Sequence, residues 1–244
     1  MPYNKHMNIA LVGYGKMGKA IEEIALNRGH KISFIFDKNN LSDFSKMNNE
    51  NTDVCIEFSA PSSAFDNYMA CFKANIPVVS GTTGWLDKMD EIKRMCADEK
   101  QTFFYASNFS IGVNIFFKIN AFLAKIMDTH AEYTPSMTEI HHTQKLDSPS
   151  GTGLTLANEI ISKIDRISNW TEEDDYSNNT MHIEALRQGT VPGTHIVKYD
   201  SDIDLIEIKH EAKSRQGFAL GAVLAAEFTA NNKGFLAMDD MMKF

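Results

Sequence analysis

The run Gly13-Tyr14-Gly15-Lys16-Met17-Gly18 constrains this chain more than any other feature. It follows directly on Asn8–Val12, a short apolar, β-rich segment. It opens Lys16–Asn27, where Met17, Ala20, Ile21, Ile24 and Ala25 recur at helical spacing. Arg28-Gly29-His30 ends that helix with a C-cap glycine, and Ile32–Phe36 reads as a second buried strand. Strand, glycine turn, helix and strand make one βαβ unit. Asp37 closes the second strand about 20 residues beyond the turn, where dinucleotide-binding units place an acidic group on the ribose. The glycines allow a tight turn and let a pyrophosphate approach the helix N-terminus. Three glycines in an ordinary turn would leave that context unexplained. Asp37 can accept the ribose hydroxyls of NADH and repels a 2′-phosphate, whereas Lys38 attracts the phosphate of NADPH. Either nucleotide, or both, fits the pattern.

The alternation continues. Val54–Phe58, Pro77–Ser80 and Thr102–Ala106 read as strands, and Ser63–Ala74 and Leu86–Asp98 as helices. Strands apolar throughout and alternating with helices indicate an α/β fold with a parallel sheet covered on both faces. Ligands of such sheets sit at the C-terminal strand ends. Those ends carry Gly13–Gly18, Asp37, Ser59, Gly81-Thr82-Thr83 and Ala106-Ser107-Asn108-Phe109. Taken singly, Glu57, Ser59 and the glycine-threonine turn are equally well read as local turn chemistry.

After Asn108 the pattern changes. Val113–Met127 is a long apolar helix, Glu132–His142 a strand, and Thr152–Ile164 a helix entered through Ser150-Gly151. Ser168–Thr180 is polar and reads as an exposed loop, with Glu172–Asp175 as its solvated acidic face. Ile183–Arg187, His195–Tyr199 and Ile203–His210 follow as strands without helices between them, and Phe218–Phe228 is helical again. Consecutive strands call for a second domain with a mixed, open sheet.

The second domain holds the densest chemistry, in His141-His142-Thr143-Gln144-Lys145-Leu146-Asp147-Ser148-Pro149-Ser150-Gly151-Thr152. Imidazole passes protons near neutral pH, Lys145 adds a cation, and a helix start offers N–H groups to an anion. The combination suits an acidic small molecule undergoing proton-coupled chemistry. Ser148 and Ser150 read as turn and N-cap residues, since no G-x-S-x-G surrounds them. Adjacent histidines without a third ligand at recognisable spacing do not suggest zinc, and no metal is expected. Strand-end histidines that merely satisfy local hydrogen bonds, and a solvated Lys145, are the plainer alternative.

A net charge of −8 argues against nucleic acid and anionic membranes as partners, so an anionic ligand must be drawn in by local cations. No apolar run approaches the roughly 18–20 residues that span a bilayer. The opening Met1–His6 is polar, with no signal peptide visible, and Met7 is an equally good start. Three cysteines without C-x-x-C spacing read as reduced thiols. A cytoplasmic location is expected.

These residues resemble those of the bacterial dihydrodipicolinate reductases, also called 4-hydroxy-tetrahydrodipicolinate reductases, of lysine and diaminopimelate biosynthesis. The likeness runs through the glycine turn, Glu57-Phe58-Ser59, Gly81-Thr82-Thr83-Gly84, Ser107–Asn114 and Glu139–Thr152. It continues through Arg187, Gly189, Gly193-Thr194-His195, Ser214-Arg215, Phe218-Ala219 and Gly221-Ala222. The turn is one residue shorter than the family's usual G-x-x-G-x-M-G, and Glu57 stands where Asp is common. The resemblance implies a Rossmann dinucleotide-binding domain, residues 1–110 and 217–244, around a substrate-binding and tetramerisation domain, residues 111–216. It implies His141 as general acid/base, Lys145 as proton donor, and His142, Gly151 and Thr152 as ligands of a small cyclic dicarboxylate. It assigns the nucleotide to Gly13, Tyr14, Gly15, Lys16, Met17, Gly18, Asp37, Lys38, Ser59, Gly81, Thr82, Thr83, Ala106, Ser107, Asn108 and Phe109. Two other readings stay open: a nucleotide-binding regulator that catalyses nothing, and a reductase of another cyclic imine acid. The first leaves His141 and Lys145 without purpose.

Overall fold

Alternate residues of Asn8–Val12 go to opposite faces, and both faces are closed: Ile9 and Leu11 join one apolar cluster, Ala10 and Val12 another. A strand apolar on both sides belongs between two helical layers. The computed structural model describes residues 6–243, so the opening Met1–Lys5 lies outside the described residues. In chain order the first elements are β1 Asn8–Val12, α1 Lys16–Asn27, β2 Lys31–Phe36, β3 Val54–Glu57, α2 Pro61–Lys73 and β4 Val78–Ser80. Next come α3 Met89–Asp98, β5 Thr102–Tyr105, α4 Ile111–Met127, β6 Thr134–His141, α5 Gly151–Ile161 and β7 Asn169–Thr171. The last are β8 Thr180–Arg187, β9 Thr194–Asp200, β10 Leu205–Glu211, α6 Gln216–Thr229, β11 Gly234–Leu236 and α7 Met238–Met242.

The chain forms two compact units, residues 6–111 with 215–243, and residues 112–214. The sequence limits were 110 and 217. In the first unit six strands run in the order β11-β5-β4-β3-β1-β2, every pair parallel. The helices α1 and α6 cover one face through Ile21, Ala25, Ala219, Ala222, Val223 and Ala226. On the other face α2 and α3 contribute Ala64, Tyr68, Phe72 and Ile92. Strand order reverses between β1 and β3, so the crevice outside their C-terminal ends is where such a sheet binds ligands.

The second unit is a five-stranded sheet, β10-β9-β6-β8-β7, with β6–β8–β7 parallel and β6–β9–β10 antiparallel. This is the mixed open sheet expected. One face packs Met137, Ile183, Val197 and Tyr199 against Phe116, Ala124 and Met127 of α4 and Leu156, Ala157 and Ile160 of α5.

Several boundaries differ from the sequence reading. Asn169–Thr171 forms β7 inside the segment read as loop, because three residues give no period and only pairing with β8 defines them. The helix after Ser150 stops at Ile161, the strand before His142 starts at Thr134, and Leu86–Lys88 is a tight 3₁₀ turn ahead of α3. Ile203 stands exposed in the turn before β10. The short elements β11 and α7 went unread. Among the described residues no helix is long and apolar enough to cross a membrane.

Candidate active site

The glycine turn of the first unit divides its work among three positions. A Cβ on Gly13, whose φ is +90°, would lie 2.0 Å from the Phe58 carbonyl oxygen, and one on Gly18 would lie 2.3 Å from that of Gly13. Those two glycines let the chain pack on itself. Gly15 faces open space, with no atom within 4 Å of a Cβ built there. That is the division the dinucleotide fingerprint requires: a tight turn, an open backbone for pyrophosphate, and a close helix start. Gly15 caps α1 without a side-chain acceptor, no acid stands in the first turn, and Lys16 is exposed, so the helix start presents positive potential.

A cavity of about 430 Å³ opens there, lined by Gly15, Lys16, Met17, Ser59, Gly81, Thr82 and Thr83, with Phe58 and Pro61. Two of the lining residues, Ser59 and Thr82, are tied to Glu57, fully buried, which accepts from Ser59 N–H (3.0 Å), Ser59 Oγ, Ser80 Oγ (2.9 Å) and Thr82 Oγ1 (3.0 Å). Sequence reasoning left Glu57 undecided; its partners come from the ends of two neighbouring strands, β3 and β4, that only the sheet brings together. Asp37 and Lys38 are exposed at the end of β2. Asp37 Oδ1 accepts from Asn39 N–H (2.7 Å), so the residue also shapes its turn. Phe109 is buried, backbone included: its ring centroid lies 5.6 Å from that of Phe58 and 5.9 Å from that of Phe104, and its carbonyl packs against Gly221. Ala106 is buried, Ser107 is exposed and Asn108 Oδ1 accepts from Ser110 N–H (2.9 Å). The Tyr14 hydroxyl donates to Glu22. None of Tyr14, Asp37, Lys38 or Ala106–Phe109 lines the cavity.

In the second unit the period of β6 places Pro135, Met137, Glu139 and His141 on its buried face. A carboxylate in that row is the signal sequence reasoning passed over. Glu139 is 0% exposed and accepts Ser150 N–H on both oxygens (3.0 and 3.0 Å), Ser150 Oγ–H on Oε2, and an Arg187 N–H on Oε1 (3.3 Å). His141 Nδ1 stands 3.6 Å from Oε1 and His195 Nε2 stands 3.7 Å from Oε2. Burial alone would push the Glu139 carboxyl up, but the facing His141 ring and the Ser150 donors bring it down to about 2. Burial, reinforced by the charge of His141, pushes His195 down to about 4. At neutral pH the cluster therefore holds an ionised Glu139 and an uncharged His195.

Lys145 donates to both oxygens of Asp147 at 2.8 and 2.9 Å. Arg187 donates to the Asp147 carbonyl (2.6 Å), and Lys145 N–H closes a turn on the His142 carbonyl (3.1 Å). Gly151 opens α5 exposed, with no atom within 4 Å of a Cβ built there, and Thr152 follows in the same turn. His142, half-buried, is one residue out of phase with the row holding Glu139 and His141. Ligand atoms of Glu139, His141 and His195 lie within 4.8 Å of one another, a spacing an ion could bridge. The carboxylate already meets Arg187 and both Ser150 donors, so a dication would have to displace a balanced set. Proton handling suits the cluster better.

Residues 7–109 match the family described as dihydrodipicolinate reductase, N-terminus, and residues 112–242 match dihydrodipicolinate reductase, C-terminus. The chain is 50% identical over 240 residues to the 4-hydroxy-tetrahydrodipicolinate reductase of Christiangramia forsetii, covering 97% of this chain and 98% of that one. The chain belongs to the dihydrodipicolinate reductase family. A reductase of the same name from Archaeoglobus fulgidus is 33% identical over 266 residues, covering 97% of this chain and all of that one. Among solved structures, the dipicolinate-bound dihydrodipicolinate reductase from Paenisporosarcina sp. TG-14 shares the fold at a TM-score of 0.76 and 21% identity, covering 97% of this chain and 99% of that chain. The family assignment read from the sequence therefore stands, over both units.

Proposed function

We propose that the chain reduces 4-hydroxy-tetrahydrodipicolinate to tetrahydrodipicolinate with NADH or NADPH, in lysine and diaminopimelate biosynthesis. The family's reductases use these nucleotides, and the observation that carries the reading here is the buried Glu139–His141–Ser150 cluster at the open start of α5. A regulator without catalysis would leave His141 and Lys145 without purpose.

The glycine turn and the cavity beside it fit a dinucleotide: Gly15 and the start of α1 would hold the pyrophosphate, Asp37 and Lys38 the adenosine ribose, and Ser59 with Gly81–Thr83 the nicotinamide side. Reduced nicotinamide, when bound, supplies a hydride. The residues of the second unit do the rest. The substrate brings two carboxylates, which the opening turn of α5 at Gly151–Thr152, Lys145 and His142 would take. Charge-assisted hydrogen bonds of this kind are worth about 1.5–3 kcal/mol each. The substrate must compete with Asp147 for the Lys145 ammonium. His141 would act as acid/base and Lys145 as proton donor, to the departing hydroxyl and to the carbon next to the reduced centre.

The adjacent carboxylate of Asp37 favours a free 2′-hydroxyl, so NADH should serve at least as well as NADPH. We place the protein in the cytoplasm as a homotetramer built on the second unit. Exposed Ile203 and Leu205 at the edge of that sheet, and the α4 row Ile115, Ile119, Phe122 and Ile126, support self-association. The test is loss of reduced-nicotinamide absorbance with substrate made in situ from pyruvate and aspartate semialdehyde. Turnover dependent on both precursors is expected; none with either nucleotide would reject the function.

A further inference from the structure

The proposed reaction needs three things held in register: the His141 ring, the Lys145 loop and the start of α5. All three hang on one side chain. Ser150, the N-cap of α5, gives Glu139 its N–H and its hydroxyl proton. Gly153 lets the helix come that close, since a Cβ there would stand 2.5 Å from Glu139 Oε2. Arg187, paired with Oε1 at 3.3 Å, holds the Asp147 carbonyl at 2.6 Å and so fixes the loop that carries Lys145. His141, two residues along the same face of β6, faces Oε1.

We propose that Glu139 is a positioning residue of the reduction, whose carboxylate aligns the acid/base imidazole of His141 with the helix start that takes a substrate carboxylate. The inference rests on the function proposed above. Hydrogen-bond accounting shows why a carboxylate is required. Ser150 Oγ gives its proton to Glu139 and accepts from Gly153 N–H (3.0 Å), so His195 Nε2, 3.2 Å away, faces it as a donor. That accounting assigns His195 the neutral Nε2–H form, with Nδ1 buried and bare. The titratable and charged groups around Glu139 are then Arg187 from β8, His195 from β9, His210 paired with His195 on β10, Lys145 and Asp147 from the loop, and His141 on β6 itself. Arg187 pairs with Oε1 and Ser150 donates to both oxygens, and the His141 ring, with Nδ1 3.6 Å from Oε1, is the imidazole the carboxylate faces on its own strand. An amide at 139 would turn N–H groups toward the donors of Ser150 or Arg187.

Steady-state kinetics on wild type, Glu139→Gln and Ser150→Ala test this, with folded fraction followed by circular dichroism and NADH affinity by fluorescence. Glu139→Gln should lower kcat by about 10- to 100-fold with NADH affinity kept within about twofold. Ser150→Ala keeps the charge and the backbone N–H bonds but removes the hydroxyl bond to Glu139 and the cap on Gly153 N–H, so it should raise the substrate KM by about fivefold or more while lowering kcat less. A kcat for Glu139→Gln within about twofold of wild type would overturn the inference, as would kcat losses in both variants that merely track folded fraction at unchanged KM. If Glu139→Gln does not fold, Ser150→Ala decides: a raised KM supports the inference and an unchanged KM overturns it. Wild type without turnover would instead remove the proposed function, and this inference with it.

Discussion

Single residues in this chain separate folding from binding. Gly13 and Gly15 are two positions apart, yet a methyl on Gly13 meets the Phe58 carbonyl oxygen at 2.0 Å while one on Gly15 meets nothing within 4 Å. Gly13→Ala, at a left-handed φ, should cost at least about 2 kcal/mol, read as a clear fall in melting temperature. Gly15→Ala should melt as wild type but bind NADH about tenfold more weakly, a loss of about 1.4 kcal/mol. Equal melting temperatures for the two variants would contradict the division of roles in the turn. In the second unit, His141→Ala and Lys145→Ala should each lower turnover by about 10²–10⁴-fold and leave NADH affinity intact, by stopped-flow and titration. The spacing of the glycines was legible in the sequence because the fingerprint is local. Glu139 was visible too, as a charge on the buried phase of β6, but its partners Ser150, Arg187 and His195 come from three other segments and could not be named.

At the scale of elements, the helix α6 illustrates what a sheet demands of a distant segment. It returns to the first unit after residues 112–214 and fills one face with Ala219, Ala222, Val223 and Ala226. Its charged anchor is Glu227, which accepts Arg28 Nε and Nη2 at 2.7 and 2.8 Å and lies 2.9 Å from His30 Nε2. Burial pushes the Glu227 carboxyl up, but the hydrogen bonds from Arg28 and His30 prevail and hold it below its usual range. A depressed carboxyl stabilises the fold above its unfolded pKa, near 4.3, and that contribution is lost as pH falls through the folded value. Glu227→Gln should therefore cost about 1.5–3 kcal/mol at pH 7, measured by urea unfolding. The gap from wild type should close below about pH 4; a gap that widens on acidification would contradict the pairing. The apolar period of Phe218–Phe228 made this helix readable, whereas β11 and α7 were not. β11 is three residues long and exists through its pairing with β5; α7 is five residues long, opened where Asp240 accepts the Ala237 N–H at 2.8 Å.

For the whole molecule, the prominent feature is apolar surface that a single chain leaves uncovered. Phe122 is 68% exposed and Ile203 88% exposed, on the same unit that carries the His141 cluster. Burial of such side chains contributes about 1.5–3 kcal/mol each, enough to favour association when several are covered together. Light scattering is expected to give four times the chain mass of 27.4 kDa. Charges placed at the sheet edge, Ile203→Glu with Leu205→Glu, should shift that mass toward a single chain without loss of secondary structure. A wild-type monomer at working concentration would reject the tetramer.

The sequence by itself determined the class of each unit and the local chemistry. Period-two and helical patterns, a glycine turn between strand and helix, and a Ser150 cap are set by neighbours a few residues apart, where backbone sterics and burial phase act directly. Family membership followed from the same ordered motifs. Tertiary structure alone decided which polar groups meet. Glu57 gathers Ser59, Ser80 and Thr82 from the ends of β3 and β4; Glu139 gathers Ser150, Arg187 and the histidines of β6 and β9. A buried carboxylate is tolerable only where enough donors converge on it, and convergence is a property of sheet order and register. Short elements such as β7 and β11 obey the same reason, since pairing with a strand already in place is what makes them strands.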